Sequence, residues 1–268
     1  MGRRFSEFEG FVFDIDGVLK VGETPVDGAA EVVEFLQQEG KKVAILTNNA
    51  TRTRRDIVAQ MARIGIKIGI GEVFGSAFGA AKYLKEEFGG GKAFIIGEKA
   101  LAEELGGEGI AVMPAAKAAS ADFVVVGLDR AFEYGKLAAA LEAIEAGAKF
   151  IATNEDPRLP TEIGPRPGAG CMVAALSACA KKKPDVIIGK PQPYLLEMAI
   201  EAMGLGKSDV AMVGDGLDTD ILMANRMGVF SVLVLTGSTP RGIEPLRLPR
   251  GLRPSAVLMS IKQLPARW

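Results

Sequence analysis

Histidine does not occur among the 268 residues. Its absence excludes Ser-His-Asp and Cys-His nucleophilic machinery, histidine-ligated zinc and phosphohistidine chemistry. Acid–base work therefore falls to Asp, Glu, Lys, Tyr or Cys. Cysteine is scarce as well: Cys171 and Cys179 are the only two, with no CxxC spacing. That argues against a disulfide framework or a thiolate zinc site, and makes a reducing cytoplasm the expected compartment. No apolar run approaches the length of a membrane span, and the start, Met1–Gly10, reads as too polar for a signal peptide. Met1, Gly2 and Ser6 fit the loose myristoylation pattern, which is short enough to be met by chance. Charge of one sign is not in excess either. With 32 basic and 33 acidic residues the formal net charge is −1, which leaves no basic face for a nucleic acid.

What is present is apolar sequence in short, regular pieces. Hydrophobic residues make up 48% of the chain, enough to bury the core of one large domain or two modest ones. Candidate strands are Phe11–Phe13, Val43–Leu46, Ala93–Ile96, Phe123–Val126, Phe150–Ala152, Val186–Ile188, Val210–Val213 and Ser231–Leu235. Most are apolar throughout, as parallel strands covered on both faces are. Between them run helical stripes at i, i+3, i+4, i+7: Ala29, Val32, Val33, Leu36; then Leu137, Ala140, Leu141, Ile144; then Leu196, Ala199, Ile200, Met203. Gly40, Gly65, Gly147 and Gly204 sit where helices should stop. The alternation predicts an α/β fold with a doubly wound, mainly parallel sheet. Pro240–Pro254 reads as a loop, and Ala256–Leu264 as a last strand and short helix.

In a doubly wound sheet, ligands bind at the carboxyl ends of the strands. Four strand ends here are polar: Asp14-Ile15-Asp16-Gly17, Thr47-Asn48-Asn49, Gly189-Lys190-Pro191, and Gly214-Asp215 through Asp218-Thr219-Asp220. Each alone has an ordinary explanation as a turn, a helix cap or a solvated lysine. Together they supply what phosphoryl transfer needs. Carboxylates are hard ligands for Mg²⁺, and a lysine with neutral donors can steady phosphoryl oxygens. One carboxylate can act as nucleophile, and a second, two residues on, as acid and base. Other motifs fail on spacing. Gly89-Gly90-Gly91-Lys92 lacks the Walker A pattern, Gly69, Gly71 and Gly75 miss GxGxxG by one residue, and Leu222 breaks an EF-hand loop.

These four segments, in this order, resemble the motifs of the haloacid dehalogenase (HAD) superfamily. The first is Asp14-Ile15-Asp16-Gly17-Val18-Leu19. The phrases Ala152-Thr153-Asn154-Glu155-Asp156 and Pro167-Gly168-Ala169-Gly170 look like its NagD / p-nitrophenylphosphatase branch. The resemblance runs from about Phe11 to Gly237. It implies a Mg²⁺-dependent phosphatase that acts on small-molecule phosphate monoesters through an aspartyl-phosphate. Asp14 would be the nucleophile and a metal ligand. Asp16 would be the acid and base and bind metal through its backbone carbonyl. Thr47, Asn48 and Lys190 would bind the phosphoryl group. Asp215 would bind metal directly, and Asp220 through water. The resemblance further implies a Rossmann-like core, residues 1–77 and 184–268, with a smaller α/β cap inserted at 78–183. Asn49, Asn154, Asp156, Gly168 and Gly170 are the candidates for facing substrate, or alternatively for shaping turns alone. An exposed cap surface would support a homodimer, and neither nucleic acid nor membrane is an expected partner. The competing reading is a phosphate-binding or phospho-accepting switch module without turnover, for which an inserted domain has no purpose.

Overall fold

The computed structural model describes residues 3–159 and 164–268. Two positions of the myristoylation-like pattern, Met1 and Gly2, lie outside the described residues. No helix among the described residues is long and apolar enough to cross a membrane. The chain forms two compact units. One comprises Met1–Thr47, Arg55–Phe74 and Lys190–Trp268, and the other Asn48–Arg54 and Gly75–Gly189.

The first unit is built on a six-stranded sheet in the order Ala256–Leu258, Phe230–Val234, Val210–Gly214, Gly10–Phe13, Lys42–Thr47, Val73–Gly75. Gly10–Phe13 pairs in parallel with Val210–Gly214 on one side and Lys42–Thr47 on the other. Numbered along the chain, this is the doubly wound order 3-2-1-4-5-6, which reverses between Gly10–Phe13 and Val210–Gly214. The central strands are buried on both faces, which is why they read as unbroken apolar runs. Helix Ala29–Gln38 buries Ala29, Val32, Val33 and Leu36, the stripe predicted for it. Helix Tyr194–Met203 buries Leu196, Ala199, Ile200 and Met203, with Leu195 added. Both stripes close on the sheet, where each fully buried large side chain contributes about 1.5–3 kcal/mol. Pro240–Pro254 is irregular apart from two single 3₁₀ turns, and Ala256–Leu258 is the last strand. The short helix expected after it is a pair of 3₁₀ turns, Ile261–Gln263 and Pro265–Arg267.

The second unit has its own five-stranded parallel sheet in the order Val186–Ile187, Lys149–Ala152, Phe123–Val126, Gly91–Ile96, Ile110–Val112. Along the chain this is the order 2-1-3-4-5, read from the Ile110–Val112 edge, the other common doubly wound arrangement. It reverses between Gly91–Ile96 and Phe123–Val126. Helix Tyr134–Glu145 departs from expectation. Its deepest face is Ala139, Ala140 and Ala143, and Leu137, Leu141 and Ile144 are only partly buried against the core. Alanine lets the helix axis approach the sheet, and the larger residues then wedge at its flanks. In the two large sheets, the strands Val73–Gly75 and Ile110–Val112 went unpredicted, each three residues long and at a sheet edge. So did the two-residue strands of the two small antiparallel pairs, Lys20–Val21 with Thr24–Pro25 and Arg158–Leu159 with Arg166–Pro167. Gly40, Gly65 and Gly147 take positive φ just past helix ends, as does Gly204 at its helix C-cap.

Candidate active site at the switch point of the first sheet

Two strands that part at the switch point each deliver a carboxylate at their carboxyl ends. Asp14 follows Gly10–Phe13, and its N–H donates to Val213 O at 3.0 Å. Asp215 follows Val210–Gly214. The chain after Asp215 then coils through a π-helical turn, Leu217–Ile221. The turn brings Asp220 back onto the strand end, where the Gly216 N–H donates to Asp220 Oδ2 at 3.0 Å. Gly214 leaves the room for it, since a Cβ there would stand 2.2 Å from that of Asp220. Asp14, Asp215 and Asp220 are all buried, and each offers a carboxylate oxygen within 4.8 Å of the others.

Lys190 is the cation of this cluster. Its Nζ lies 2.8 Å from Asp14 Oδ1 and 2.7 Å from Asp220 Oδ1, with the side chain almost wholly buried. Burial works against the ammonium, but Asp14 and Asp220 outweigh it and raise the Lys190 pKa above the ordinary lysine value. Burial pushes the Asp14 carboxyl well above its ordinary value against the pull of Lys190, with Asp220 and Asp215 adding to the rise. Burial and Asp220 likewise raise Asp215. Three carboxylates thus face one ammonium in a desolvated space. That excess of hard oxygen donors fits a divalent cation such as Mg²⁺.

A second loop fixes Asp215. The Ser238 N–H donates to Asp215 Oδ2 at 2.5 Å, and Thr239 Oγ1 donates to Asp215 O at 2.5 Å. Thr236 Oγ1 donates to Gly17 O at 2.6 Å. Gly17 has φ +85°, and a Cβ on it would stand 2.5 Å from Asp215 Oδ2, so the turn tolerates little but glycine. These threonine and serine contacts were not anticipated. The polar run Thr236–Thr239 after strand Phe230–Val234 was the available signal, a fifth polar strand end. Thr47 is buried at the end of its strand. Asp16 is half-exposed, and its Oδ1 accepts from Lys20 Nζ at 2.7 Å.

The remaining predicted residues fall in the second unit, where Asn48, Asn154, Asp156, Gly168 and Gly170 meet. Asn48 Nδ2 donates to Asp156 Oδ2 at 2.9 Å, and Asn48 O accepts from Asn154 Nδ2 at 2.8 Å and Ser76 Oγ at 2.7 Å. Asn154 Oδ1 accepts the Asp156 N–H at 3.0 Å, and Asn49 Oδ1 accepts the Thr51 N–H at 2.8 Å; both are Asx turns. Gly168 and Gly170 let this loop close: a Cβ would lie 2.2 Å from Asp156 O or 2.3 Å from Glu155 O.

Comparison with known proteins agrees with this geometry. A family profile described as haloacid dehalogenase-like hydrolase matches residues 11–111, and a second, HAD-hydrolase-like, matches 187–264. The chain is 34% identical over 243 residues to an acid sugar phosphatase of Staphylococcus saprophyticus, covering 90% of this chain and 92% of that one. A p-nitrophenyl phosphatase from Archaeoglobus fulgidus superposes with TM-score 0.90 at 35% identity, covering 97% of this chain and 99% of that one. A glycerol phosphate phosphatase from Mycobacterium tuberculosis, solved in complex with magnesium, superposes with TM-score 0.89 at 33% identity; the match covers 98% of this chain and 79% of that one. On identity sustained across nine-tenths of its length, the chain belongs to the haloacid dehalogenase-like hydrolase family, in its NagD / p-nitrophenylphosphatase-like branch.

Proposed function

We propose that this chain is a Mg²⁺-dependent phosphatase that hydrolyses small-molecule phosphate monoesters through an aspartyl-phosphate on Asp14. The observation that carries the reading is the contact of Lys190 with Asp14 at 2.8 Å beside two further buried carboxylates. A carboxylate so placed is available as a nucleophile, and Lys190 offsets the charge that Asp14 and a phosphate would share. Asp14, Asp215 and the backbone carbonyl of Asp16 would hold Mg²⁺ directly. Both oxygens of Asp220 already accept hydrogen bonds, from Lys190 and from Gly216 N–H, which favours its contact through water. Bound there, Mg²⁺ would neutralise phosphoryl charge. Thr47, and Asn48 next to it in sequence, are assigned to the phosphoryl oxygens. Asp16 protonates the leaving oxygen and then takes a proton from water.

The similar proteins are named for sugar, p-nitrophenyl and glycerol phosphates. Alcohols so unlike point to monoesters as a class. The second unit, which contains the whole of 78–183, is assigned as the insert that chooses the leaving group, and the first unit as the catalytic core. The test is steady-state hydrolysis of a panel of phosphate monoesters with Mg²⁺, with EDTA, and with Asp14→Asn. Turnover should require the metal and fall about 10³-fold or more in Asp14→Asn. A folded Asp14→Asn with full Mg²⁺-dependent activity would sink the reading. Stable phosphorylation of wild-type Asp14 without hydrolysis would replace it with a phospho-accepting switch.

A further inference from the structure

The chain doubles back directly after Asp14. Ile15 O accepts the N–H groups of Val18, Leu19 and Lys20, and the Gly17 N–H returns to Lys20 O at 2.7 Å. A short antiparallel pair, Lys20–Val21 with Thr24–Pro25, continues the turn. Lys20 thereby lies beside Asp16 without a helix to bring it there. Its Nζ donates to Asp16 Oδ1 at 2.7 Å and to Gly22 O at 2.8 Å. Lys20 is only 7% exposed, whereas the Asp16 side chain is 43% exposed. A lysine that merely solubilised the surface would extend its ammonium into water. This one gives up hydration, which a buried charge does only for specific partners. One partner is the residue assigned to proton transfer.

The geometry points to Lys20 as the positioning residue for that transfer: it engages Oδ1 of Asp16 and leaves Oδ2 as the oxygen that carries the proton. This rests on the reading of Asp16 as acid and base given above. In the first step an Asp14 oxygen bonds phosphorus and the ester P–O bond breaks. Its electron pair goes to the leaving oxygen, which takes the proton from Asp16 Oδ2. In the second step Oδ2 takes a proton from water as the water oxygen bonds phosphorus. The P–O bond to Asp14 then breaks and its electron pair returns to the Asp14 carboxylate. Lys20 keeps its own protons throughout and offsets the negative charge that Asp16 carries between the steps.

The experiment uses two esters. Glycerol phosphate has a leaving alkoxide that needs a proton, whereas p-nitrophenyl phosphate releases a phenolate that does not. Both are compared by kcat/KM, which reports the steps up to aspartyl-phosphate formation. Lys20→Met should lose about 10-fold or more on glycerol phosphate relative to p-nitrophenyl phosphate. Lys20→Arg should return that ratio toward wild type. Equal losses on the two esters, or no loss on either, in a Lys20→Met protein of unchanged melting temperature would overturn the assignment. Should Lys20→Met not fold, the same ratio is read in Lys20→Gln. Asp14→Asn run alongside separates the two ideas. If it abolishes turnover of both esters, an ester-blind Lys20→Met overturns the role of Lys20 alone; if it stays active, the reading of the site itself fails.

Discussion

In the first sheet, the strands that part at the switch point end in Asp14 and Asp215. In the second, the corresponding strands lead into Glu98 and into Asp129-Arg130. Both places have the geometry at which doubly wound sheets bind ligands, and both are rich in charge. They differ in whether the charge is balanced. At the second, Arg130 Nε and Nη2 each donate to a Glu98 oxygen at 2.6 Å, and Lys136 Nζ reaches the buried Asp129 at 2.6 Å. Every charge there has its opposite. At the first, one lysine serves two carboxylates, and two of the three carboxyl groups are held above their ordinary pKa. A shared architecture therefore does not mark the reactive end of a molecule; uncompensated buried charge does.

The sharpest way to break this comparison is to remove the one cation. Lys190→Met leaves Asp14 and Asp220 buried together. Stability of the metal-free protein in urea should fall by about 3–5 kcal/mol, as when one partner of a buried pair is lost. Adding Asp220→Asn should recover part of it. Wild-type stability in Lys190→Met would mean that the cluster is better solvated than its burial implies.

A smaller effect concerns pH. Burial makes Asp14 and Asp215 hold their protons more tightly in the folded protein than an ordinary aspartate carboxyl, whose pKa is 3.8. Their stabilisation is thus full below that value and is lost as pH rises through the raised folded values. EDTA-treated wild type should lose more melting temperature between about pH 5 and about pH 8 than Asp14→Asn does. Added Mg²⁺ should reduce the difference. Parallel curves for the two proteins would count against the charge excess.

The smallest effect, with the opposite sign, belongs to the second sheet. The Arg130 hydrogen bond holds the Glu98 carboxyl below its ordinary value of 4.5. That contribution is present above 4.5 and is lost as pH falls through the lowered folded value. Arg130 is largely exposed, so screening limits the pair to about 0.2–1 kcal/mol. Arg130→Met should shift the melting temperature slightly at neutral pH, and less at about pH 3.5. A large loss at neutral pH would mean that the second switch point is more than a balanced surface.

Much of this was legible in sequence, because its signals are local. Strands such as Val210–Gly214 announce themselves as apolar runs that end in a polar residue, and the stripes of Ala29–Gln38 and Tyr194–Met203 follow the helical period. Strand order was not legible, since nothing local tells Gly10–Phe13 that its neighbour is Val210–Gly214. Edge strands of three residues, Val73–Gly75 and Ile110–Val112, are too short to show a period. Within the site, the carboxylates and Lys190 stood out at strand ends. Lys20 did not, because its approach to Asp16 depends on the turn at Gly17. Thr236, Ser238 and Thr239 were missed because they hold the site by contacts that reach back to Asp215 and Gly17.

The placement of Gly10–Phe13 between Val210–Gly214 and Lys42–Thr47 has a consequence for synthesis. Gly10 and Val210 are partners 200 positions apart. A ribosome adding about 5–20 residues each second needs roughly 10–40 s to travel from one to the other. Over that interval the stretch 91–187 can emerge and form its own parallel sheet from contiguous sequence. Asp14 meanwhile waits in water without Lys190, Asp215 or Asp220. The nascent chain thus carries Asp14, the proposed nucleophile, from the outset, but the buried cluster around it cannot assemble until Asp220 has left the exit tunnel.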